Sequence, residues 1–118
     1  VGVTSGGFTA LAAPLAEELG LDFFNANELA IRDKALTGRV IGTVVDRDQK
    51  ARDLIRFAAA AGVPLEHAVA VGDGANDLGM LAAAGLGVAY RAKPVTAARA
   101  DAVINFPRLD AVTALALP

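Results

Sequence analysis

A short apolar run that ends in a cluster of glycines and acids constrains the fold of this chain most. Residues 68–71 read AVAV, and residues 72–77, directly after them, read GDGAND. Short runs rich in β-branched residues indicate buried strands, and the two glycines allow the backbone to turn sharply after the strand. Asn76 and Asp77 favour the start of a helix that residues 78–82 continue. The pattern predicts a strand, a tight turn and a helix, and in parallel α/β sheets such strand ends are where ligands bind.

The two acids of this turn suit a hard cation. Asp73 and Asp77 are separated by three residues, across the predicted turn. Mg²⁺ takes oxygen ligands, usually one or two protein carboxylates together with water and substrate phosphate. We therefore interpret Asp73 as a direct Mg²⁺ ligand and Asp77 as the residue that orients a neighbouring group. On this stretch alone, an ordinary Gly-Asp-Gly turn followed by an N-capped helix is the alternative.

Composition limits the class of protein. The 118 residues suffice for a single domain, and the hydrophobic share of 54% is explained by many alanines and by buried strands, because no apolar run reaches the length of about 18 residues that a membrane helix needs. No basic start followed by an apolar signal segment is present. The absence of Cys is compatible with the cytoplasm, and a net charge of −2 gives no reason to expect nucleic acid. We expect a cytoplasmic protein with neither a nucleic-acid nor a membrane partner.

A second glycine turn lies near the first residue. The β-branched stretch Val1–Thr4 is followed by SGG at residues 5–7 and then by apolar residues at helical spacing over 8–20. A strand, a glycine loop and a helix form a phosphate cradle, in which backbone N–H groups, the Ser5 hydroxyl and the helix N-terminus favour an anion. A simple glycine turn explains the same residues, and both interpretations stay open at this point. Pro14 should kink the helix or mark its first turn.

The remaining sequence alternates strands with helices. Apolar and polar residues alternate over 28–45, interrupted by Asp33 and Lys34, which predicts a β-hairpin or flap beside the main sheet. Such an alternation predicts an α/β fold with an open parallel sheet covered on both faces. The further predicted strands are 21–25, 86–90 and 102–104, and the further predicted helices follow Asp46 up to Gly62 and cover 93–99 and 109–117.

Lys50 falls in the first turn of the helix that Asp46 and its neighbours begin. A cation there is unfavourable against the helix dipole, so its position suggests a role other than helix stability. A solvated surface lysine is the alternative for this residue taken by itself.

Five stretches together resemble the second, third and fourth motifs of the haloacid dehalogenase superfamily, and within it those of phosphoserine phosphatases. The resemblance runs through essentially the whole chain and implies a three-layer, Rossmann-like α/β core with a mostly parallel sheet and a β-hairpin flap. The stretches are SGGF at 5–8, NELAI at 27–31, LTGRV at 36–40, Lys50, and VGDGAND at 71–77.

This resemblance implies a Mg²⁺-dependent phosphatase that hydrolyses O-phospho-L-serine to L-serine and phosphate through an aspartyl-phosphate intermediate, the last step of serine synthesis. Phosphoryl transfer needs mostly positioning and charge neutralisation, which fits the residue types. The implied roles are phosphate binding for Ser5, the Gly6 backbone and Asn76, charge neutralisation for Lys50, Mg²⁺ binding for Asp73, and outer-shell support of Lys50 or of metal-bound water for Asp77.

One motif of the superfamily is absent. The DxDxT motif that supplies the nucleophilic aspartate occurs nowhere in the sequence, and the nearest text, residues 46–50, lacks the Thr. The helical cap that would select serine is missing as well. We expect residues 1–118 to be an incomplete core domain, the C-terminal part of such an enzyme, and to be inactive alone because the covalent step has no nucleophile.

The missing motif also implies a missing central strand between residues 1–4 and residues 68–71. Two inner sheet edges would then carry unpaired backbone groups. Three outcomes are predicted: a separate N-terminal segment fills the slot, a second copy supplies the strand, in a homodimer, or the sheet rearranges so that the two edges pair directly.

Two other functions stay open. One is a superfamily phosphatase for another small phosphomonoester; a transport ATPase phosphorylation domain is less favoured, because it usually carries TGD where this chain has SGG. The other is a module that binds Mg²⁺ or phosphate without hydrolysis, which the missing nucleophile favours.

Overall fold

The computed structural model describes residues 1–42 and 44–116. Thr43 of the predicted flap and Leu117 of the last predicted helix lie outside these residues. In chain order the described elements are β1 (Gly2–Phe8), α1 (Thr9–Leu19), β2 (Phe23–Arg32), β3 (Ala35–Ile41), α2 (Arg47–Ala61), β4 (Val69–Gly72), α3 (Leu78–Ala83), β5 (Leu86–Tyr90), α4 (Pro94–Ala97), β6 (Ala102–Ile104) and α5 (Ala111–Ala116).

The described strands form two sheets of three strands each, with the orders β1-β2-β3 and β4-β5-β6. The pairs β1 with β2, β4 with β5 and β5 with β6 are parallel, and only β2 with β3 is antiparallel. The described strands are mostly parallel, as predicted, and they are divided where the resemblance implies a missing central strand. Between β1 and β4 the described residues form no ladder, which excludes the predicted rearrangement in which Val1–Thr4 pairs directly with Ala68–Val71.

An apolar groove of about 540 Å³ is lined by residues 1–4 at the first sheet and by residues 69–71 at the second. Leu54 and Phe57 of α2 contribute to the same lining. Both β1 and β4 are the outer strands of their sheets, so each presents one row of backbone groups without a ladder partner among the described residues. The radius of gyration, 15.1 Å, exceeds the roughly 13 Å expected of a compact chain of this length, consistent with a core that is open along this groove.

The strand β2 is longer than the sequence pattern predicts. Residues 23–32 form one continuous strand that pairs with β1 at its start and with β3 at its end, whereas the sequence predicts a separate short strand and a hairpin. The predicted turn is confirmed: Asp33 and Lys34 have φ angles of 53° and 64°, as a two-residue type I′ hairpin turn requires. The flap is thus a direct extension of a sheet strand.

The apolar core lies under the second sheet. Ala70 of β4 packs with Met80 and Leu81 of α3, and Leu54 of α2 covers this cluster. Gly87 allows α3 to approach β5 closely, because a Cβ atom at this position would lie 2.4 Å from the carbonyl oxygen of Leu81. Among the described residues no helix combines the length and the apolar character needed to cross a membrane.

Candidate active site

The turn after β4 is organised by one carboxylate. Asp77 Oδ2 accepts hydrogen bonds from the backbone N–H groups of Asp73 (3.0 Å) and Gly74 (3.2 Å), which closes the turn. Gly72 is required there, since a Cβ atom at this position would lie 2.5 Å from the Cβ of Asp77. The tight turn predicted from the GDGAND stretch is therefore present, and it leaves the other oxygen of Asp77 available to a partner.

That partner is Lys50. Its Nζ donates to Asp77 Oδ1 at 2.7 Å, and the side chains are only 9% and 7% exposed, respectively. Lys50 is held in the first turn of α2, whose N-terminus is capped by Asp46 Oδ1 accepting from Gln49 N at 2.8 Å. A lysine that opposes the helix dipole is thus compensated by a buried carboxylate. Two of the three ammonium protons remain for other acceptors.

Asp73 and Asn76 lie on the same turn, and both are exposed. Asp73 offers one carboxylate, and within residues 1–42 and 44–116 no cluster of three or more His, Asp or Glu side chains is gathered tightly enough to hold a metal. One carboxylate fits Mg²⁺, which commonly takes one or two protein carboxylates and completes its shell with water and phosphate oxygens. Asp73 is therefore compatible with the predicted metal role, which stays a prediction.

The SGG stretch is part of β1, contrary to the prediction of a loop after the strand. Thr4 pairs with Asn25 and Phe8 pairs with Asn27, so residues 5–7 face a single residue of β2. This arrangement is a bulge in a parallel ladder, a feature that re-aims side chains near functional sites. Phe8 is still extended and α1 begins at Thr9, so the predicted strand and helix are present but the glycines lie within the strand.

Two hydrogen bonds fix the conformation of the bulge. Gly7 N donates to Ser5 Oγ at 3.0 Å, and Asn27 Nδ2 donates to the carbonyl oxygen of Gly6 at 2.9 Å. Asn27 Oδ1 accepts from the backbone N–H of Val45, directly before the cap of α2, at 2.6 Å. Ser5 and Gly6 are therefore tied to the N-terminal end of the helix that carries Lys50.

Asp53 makes a second link between α2 and the first sheet. This residue is fully buried, and its Oδ2 accepts from Thr4 Oγ1 and Asn25 Nδ2, each at 2.7 Å. Its Oδ1 accepts from Gln49 Nε2 at 2.9 Å and from Arg56 at 3.0 Å. Four donors satisfy a carboxylate fully, which is how a buried charge is tolerated.

Sequence reasoning missed Asn27 and Asp53. Asn27 lies in the NELAI stretch that carries the resemblance, but no role follows from its local context. Asp53 lies one helical turn after Lys50, and its spacing indicates that both side chains lie on one side of α2. This spacing from Lys50 is the sequence signal that could have pointed to Asp53, but its partners Thr4 and Asn25 are distant in sequence.

The structure groups the predicted residues around the N-terminal end of α2. Lys50 contacts Asp77, and a Cβ atom on Gly6 would lie 3.7 Å from the carbonyl oxygen of Val45. Asp73 lies on the turn that Asp77 closes. Cationic, hydroxyl and carboxylate groups thus come from three elements that one helix end connects, a set suited to a phosphate group and a metal ion.

A comparison with protein families decides the class. A profile of haloacid dehalogenase-like hydrolases matches residues 1–82. The chain belongs to the haloacid dehalogenase-like hydrolase family. The resemblance and the α/β fold class predicted from the sequence are thereby confirmed.

Individual relatives narrow the similarity. The chain is 63% identical over 112 residues to the phosphoserine phosphatase of Streptomyces coelicolor and 58% identical over 111 residues to phosphoserine phosphatase SerB2 of Mycobacterium tuberculosis. These matches cover 95% and 94% of this chain but 27% of each relative. The chain therefore spans about a quarter of the length of these relatives.

A solved structure gives the same result for the fold. The unliganded crystal structure of a probable phosphoserine phosphatase from Vibrio cholerae matches with a TM-score of 0.93 and 46% identity, over 98% of this chain and 36% of that chain. The fold described above therefore matches about a third of the chain of that probable phosphatase.

Proposed function

We propose that residues 1–118 form the phosphate-binding and Mg²⁺-binding part of a cytoplasmic phosphoserine phosphatase, which hydrolyses O-phospho-L-serine to L-serine and phosphate at the end of serine biosynthesis. The buried contact between Lys50 and Asp77 is the observation that carries the proposal. A structural ion pair needs neither an adjacent glycine-rich bulge nor an exposed acid on the same turn, and all three occur together here. The names of the relatives support the choice of substrate.

In this proposal the chain binds the phosphate group through three kinds of donor. Ser5 Oγ accepts from Gly7 N and keeps its own proton, which it donates to a phosphoryl oxygen. Asn76 donates from the exposed turn. Lys50 remains oriented by Asp77 and donates its free protons to the phosphoryl oxygens and to the attacking carboxylate. Such preorganised donors stabilise the charge of the transition state without reorganisation during the reaction.

Asp73 would hold Mg²⁺ at the mouth of this site. When bound, the ion supplies further neutralisation of the phosphoryl oxygens. Asp77 contributes indirectly, since it fixes the backbone of the turn on which Asp73 lies.

The nucleophile is proposed to come from a segment outside residues 1–118. An aspartate carboxylate attacks phosphorus, and the bond to the serine oxygen breaks as that oxygen takes up a proton and L-serine leaves. Water then attacks the aspartyl phosphate, which releases phosphate and restores the carboxylate. The groove between β1 and β4 is where this segment would bind, as an extended strand that pairs with both unpaired rows of backbone groups. The groove lining is apolar, so the segment should carry apolar side chains there.

Non-catalytic binding of Mg²⁺ or phosphate is a second candidate function, favoured by one observation, namely that DxDxT occurs nowhere in the sequence. In that case the Lys50–Asp77 contact would serve anion binding alone.

The deciding experiment compares phosphate release from O-phospho-L-serine by the product of the intact gene and by residues 1–118 alone, each with Mg²⁺ and with EDTA. We expect Mg²⁺-dependent release by the intact product and none by residues 1–118. Release by residues 1–118 would overturn the proposal that the nucleophile lies outside them. Phosphate binding without release by either protein would favour the binding module, and faster release from another small phosphomonoester would change the substrate.

A further inference from the structure

Asn27 is a buried polar residue for which the proposed chemistry has no role. Its side chain is almost completely enclosed, with an exposed fraction of 6% for the whole residue. Its position in β2 places it against the bulge of β1, where its Nδ2 donates to Gly6 O and its Oδ1 accepts from Val45 N. One side chain therefore contacts the phosphate-binding loop and the segment that leads into α2.

The chemistry of these two contacts requires a carboxamide. Gly6 O needs a donor and Val45 N needs an acceptor, and among side chains of this length only Asn supplies both from one planar group. An aspartate would keep the acceptor for Val45 N but would place a carboxylate oxygen against the carbonyl of Gly6. Replacing the Nδ2 of residue 27 by an oxygen is therefore enough to remove the contact with Gly6.

The contact with Gly6 reaches the hydroxyl of Ser5. The peptide group between Gly6 and Gly7 has its carbonyl held by Asn27, while its N–H donates to Ser5 Oγ. Fixing the plane of this peptide therefore fixes the direction from which Ser5 accepts, and so the direction in which Ser5 can donate its own proton. Through Val45 the same side chain holds the start of α2, three residues beyond which lies Lys50 in the first helical turn.

We propose that Asn27 is a positioning residue for the phosphate site, which sets the orientation of the Gly6–Gly7 peptide and hence of the Ser5 hydroxyl. This inference rests on the proposed function, because it assumes that Ser5 and Gly6 bind the phosphate group. It assigns Asn27 no contact with the substrate.

The test measures the affinity of inorganic phosphate by calorimetry in the presence of Mg²⁺, using the product of the intact gene and its Asn27→Asp variant. We expect about a tenfold loss of phosphate affinity in Asn27→Asp, because a donor is replaced by a repulsive oxygen at a buried contact. In a Ser5→Ala background the same substitution should cost about twofold or less, since the hydroxyl through which Asn27 acts is gone.

Asn25→Ala is the matched control. Asn25 lies two residues earlier on the same strand, and its side chain donates to Asp53, so loss of that side chain should leave phosphate affinity within about twofold while lowering stability. Equal losses of affinity in the Asn27 and Asn25 variants, or effects of Asn27→Asp and Ser5→Ala that simply add, would overturn the positioning role. A wild-type protein that binds phosphate without hydrolysing any monoester would overturn the proposed function only, whereas one that binds no phosphate would overturn the anion-binding role of the loop and this inference with it.

Discussion

The two sheets of this protein are stabilised in different ways. The second sheet carries apolar buried residues, among them Val88 and Ala89 of β5, which have no exposed surface, and Leu81 of α3 packs against it. In the first sheet the described buried residue is the polar Asn27, and α1, which covers this sheet, has no buried residue. Buried hydrogen bonds, together with the half-buried stack of Phe23 on Phe57 (ring centroids 5.1 Å apart), therefore connect the first sheet to α2.

This difference has a functional meaning. An apolar core fixes the distance between elements but tolerates small shifts, whereas a satisfied polar network specifies one arrangement of its groups. The bulge with Ser5 and Gly6 lies in the polar sheet, and the apolar sheet carries the turn with Asp73 and Asp77. The helix α2 connects the two, because Asp53 contacts the first sheet and Lys50 contacts Asp77 on the turn after β4.

The largest effect is expected at this junction. Lys50→Met should lower the free energy of unfolding by about 3–5 kcal/mol, because Asp77 is left buried without its partner. It should also abolish phosphate binding, because the ammonium group proposed to bind the phosphate is lost. The double variant Lys50→Met with Asp77→Asn should recover part of the stability but none of the binding, because the amide oxygen still accepts from the N–H groups of Asp73 and Gly74 and no unpaired buried charge remains. Denaturant titration and calorimetry measure the two properties separately, and a recovery of phosphate binding in the double variant would contradict a direct role for Lys50.

The next largest change in stability is expected for an apolar residue packed against the second sheet, compared with one on α1, which covers the first sheet. Leu81→Ala should cost about 2–5 kcal/mol, because Leu81 is 3% exposed and packs with Ala70 and Met80. Leu15→Ala on α1 removes the same atoms from a side chain that is 55% exposed and should change stability by no more than about 0.5 kcal/mol. Equal losses in thermal or chemical unfolding would show that the first sheet has an apolar core as well.

A smaller effect is expected at the polar link of the first sheet. Asp53→Asn should cost about 1–3 kcal/mol, because an amide N–H₂ then faces two donors that the carboxylate accepts from. The loss should appear as faster hydrogen exchange at the amides of β1 and β2, with little change at Val88. Uniformly faster exchange throughout both sheets would contradict a separate stabilisation of the first sheet.

The smallest effect is expected at an exposed ion pair. Arg108 donates to Asp110 at 2.7 Å and holds the pKa of that carboxyl below its ordinary value, but both groups are on the surface. A carboxyl with a lowered pKa adds stability only above its ordinary pKa and loses it as the pH falls through the lowered value. Solvent screens this pair, so Arg108→Gln should leave the melting temperature unchanged at neutral pH. A clear fall in melting temperature would show that surface pairs contribute as the buried pair does.

Local chemistry made much of this fold predictable. The strands 86–90 and 102–104, the turn at Asp33 and Lys34, and the capping of α2 at Asp46 are confirmed with the predicted residues. Each depends on neighbours in sequence, such as a short run of apolar residues, two residues at positive φ, or a side chain that accepts from the third residue after it. The contact of Lys50 with Asp77 joins residues that are distant in sequence, and the sequence suggested it only through the resemblance.

Four features were not predictable from local pattern. The bulge at residues 5–7 and the length of β2 depend on how neighbouring strands pair, and glycine composition indicates flexibility without indicating a ladder partner. The contacts of Asn27 and Asp53 join groups that the fold brings together across three elements. The division into two sheets follows from a missing strand between β1 and β4, which the sequence indicated only through the resemblance.

The position of the nucleophile is the central claim, and trapping the intermediate tests it most directly. The product of the intact gene would be acid-quenched during turnover of O-phospho-L-serine with Mg²⁺ and reduced with borohydride, and the modified aspartate would be located by peptide mass spectrometry. We predict modification at an aspartate outside residues 1–118. Modification of Asp46, Asp48 or Asp73, or turnover without any modified aspartate, would contradict the account.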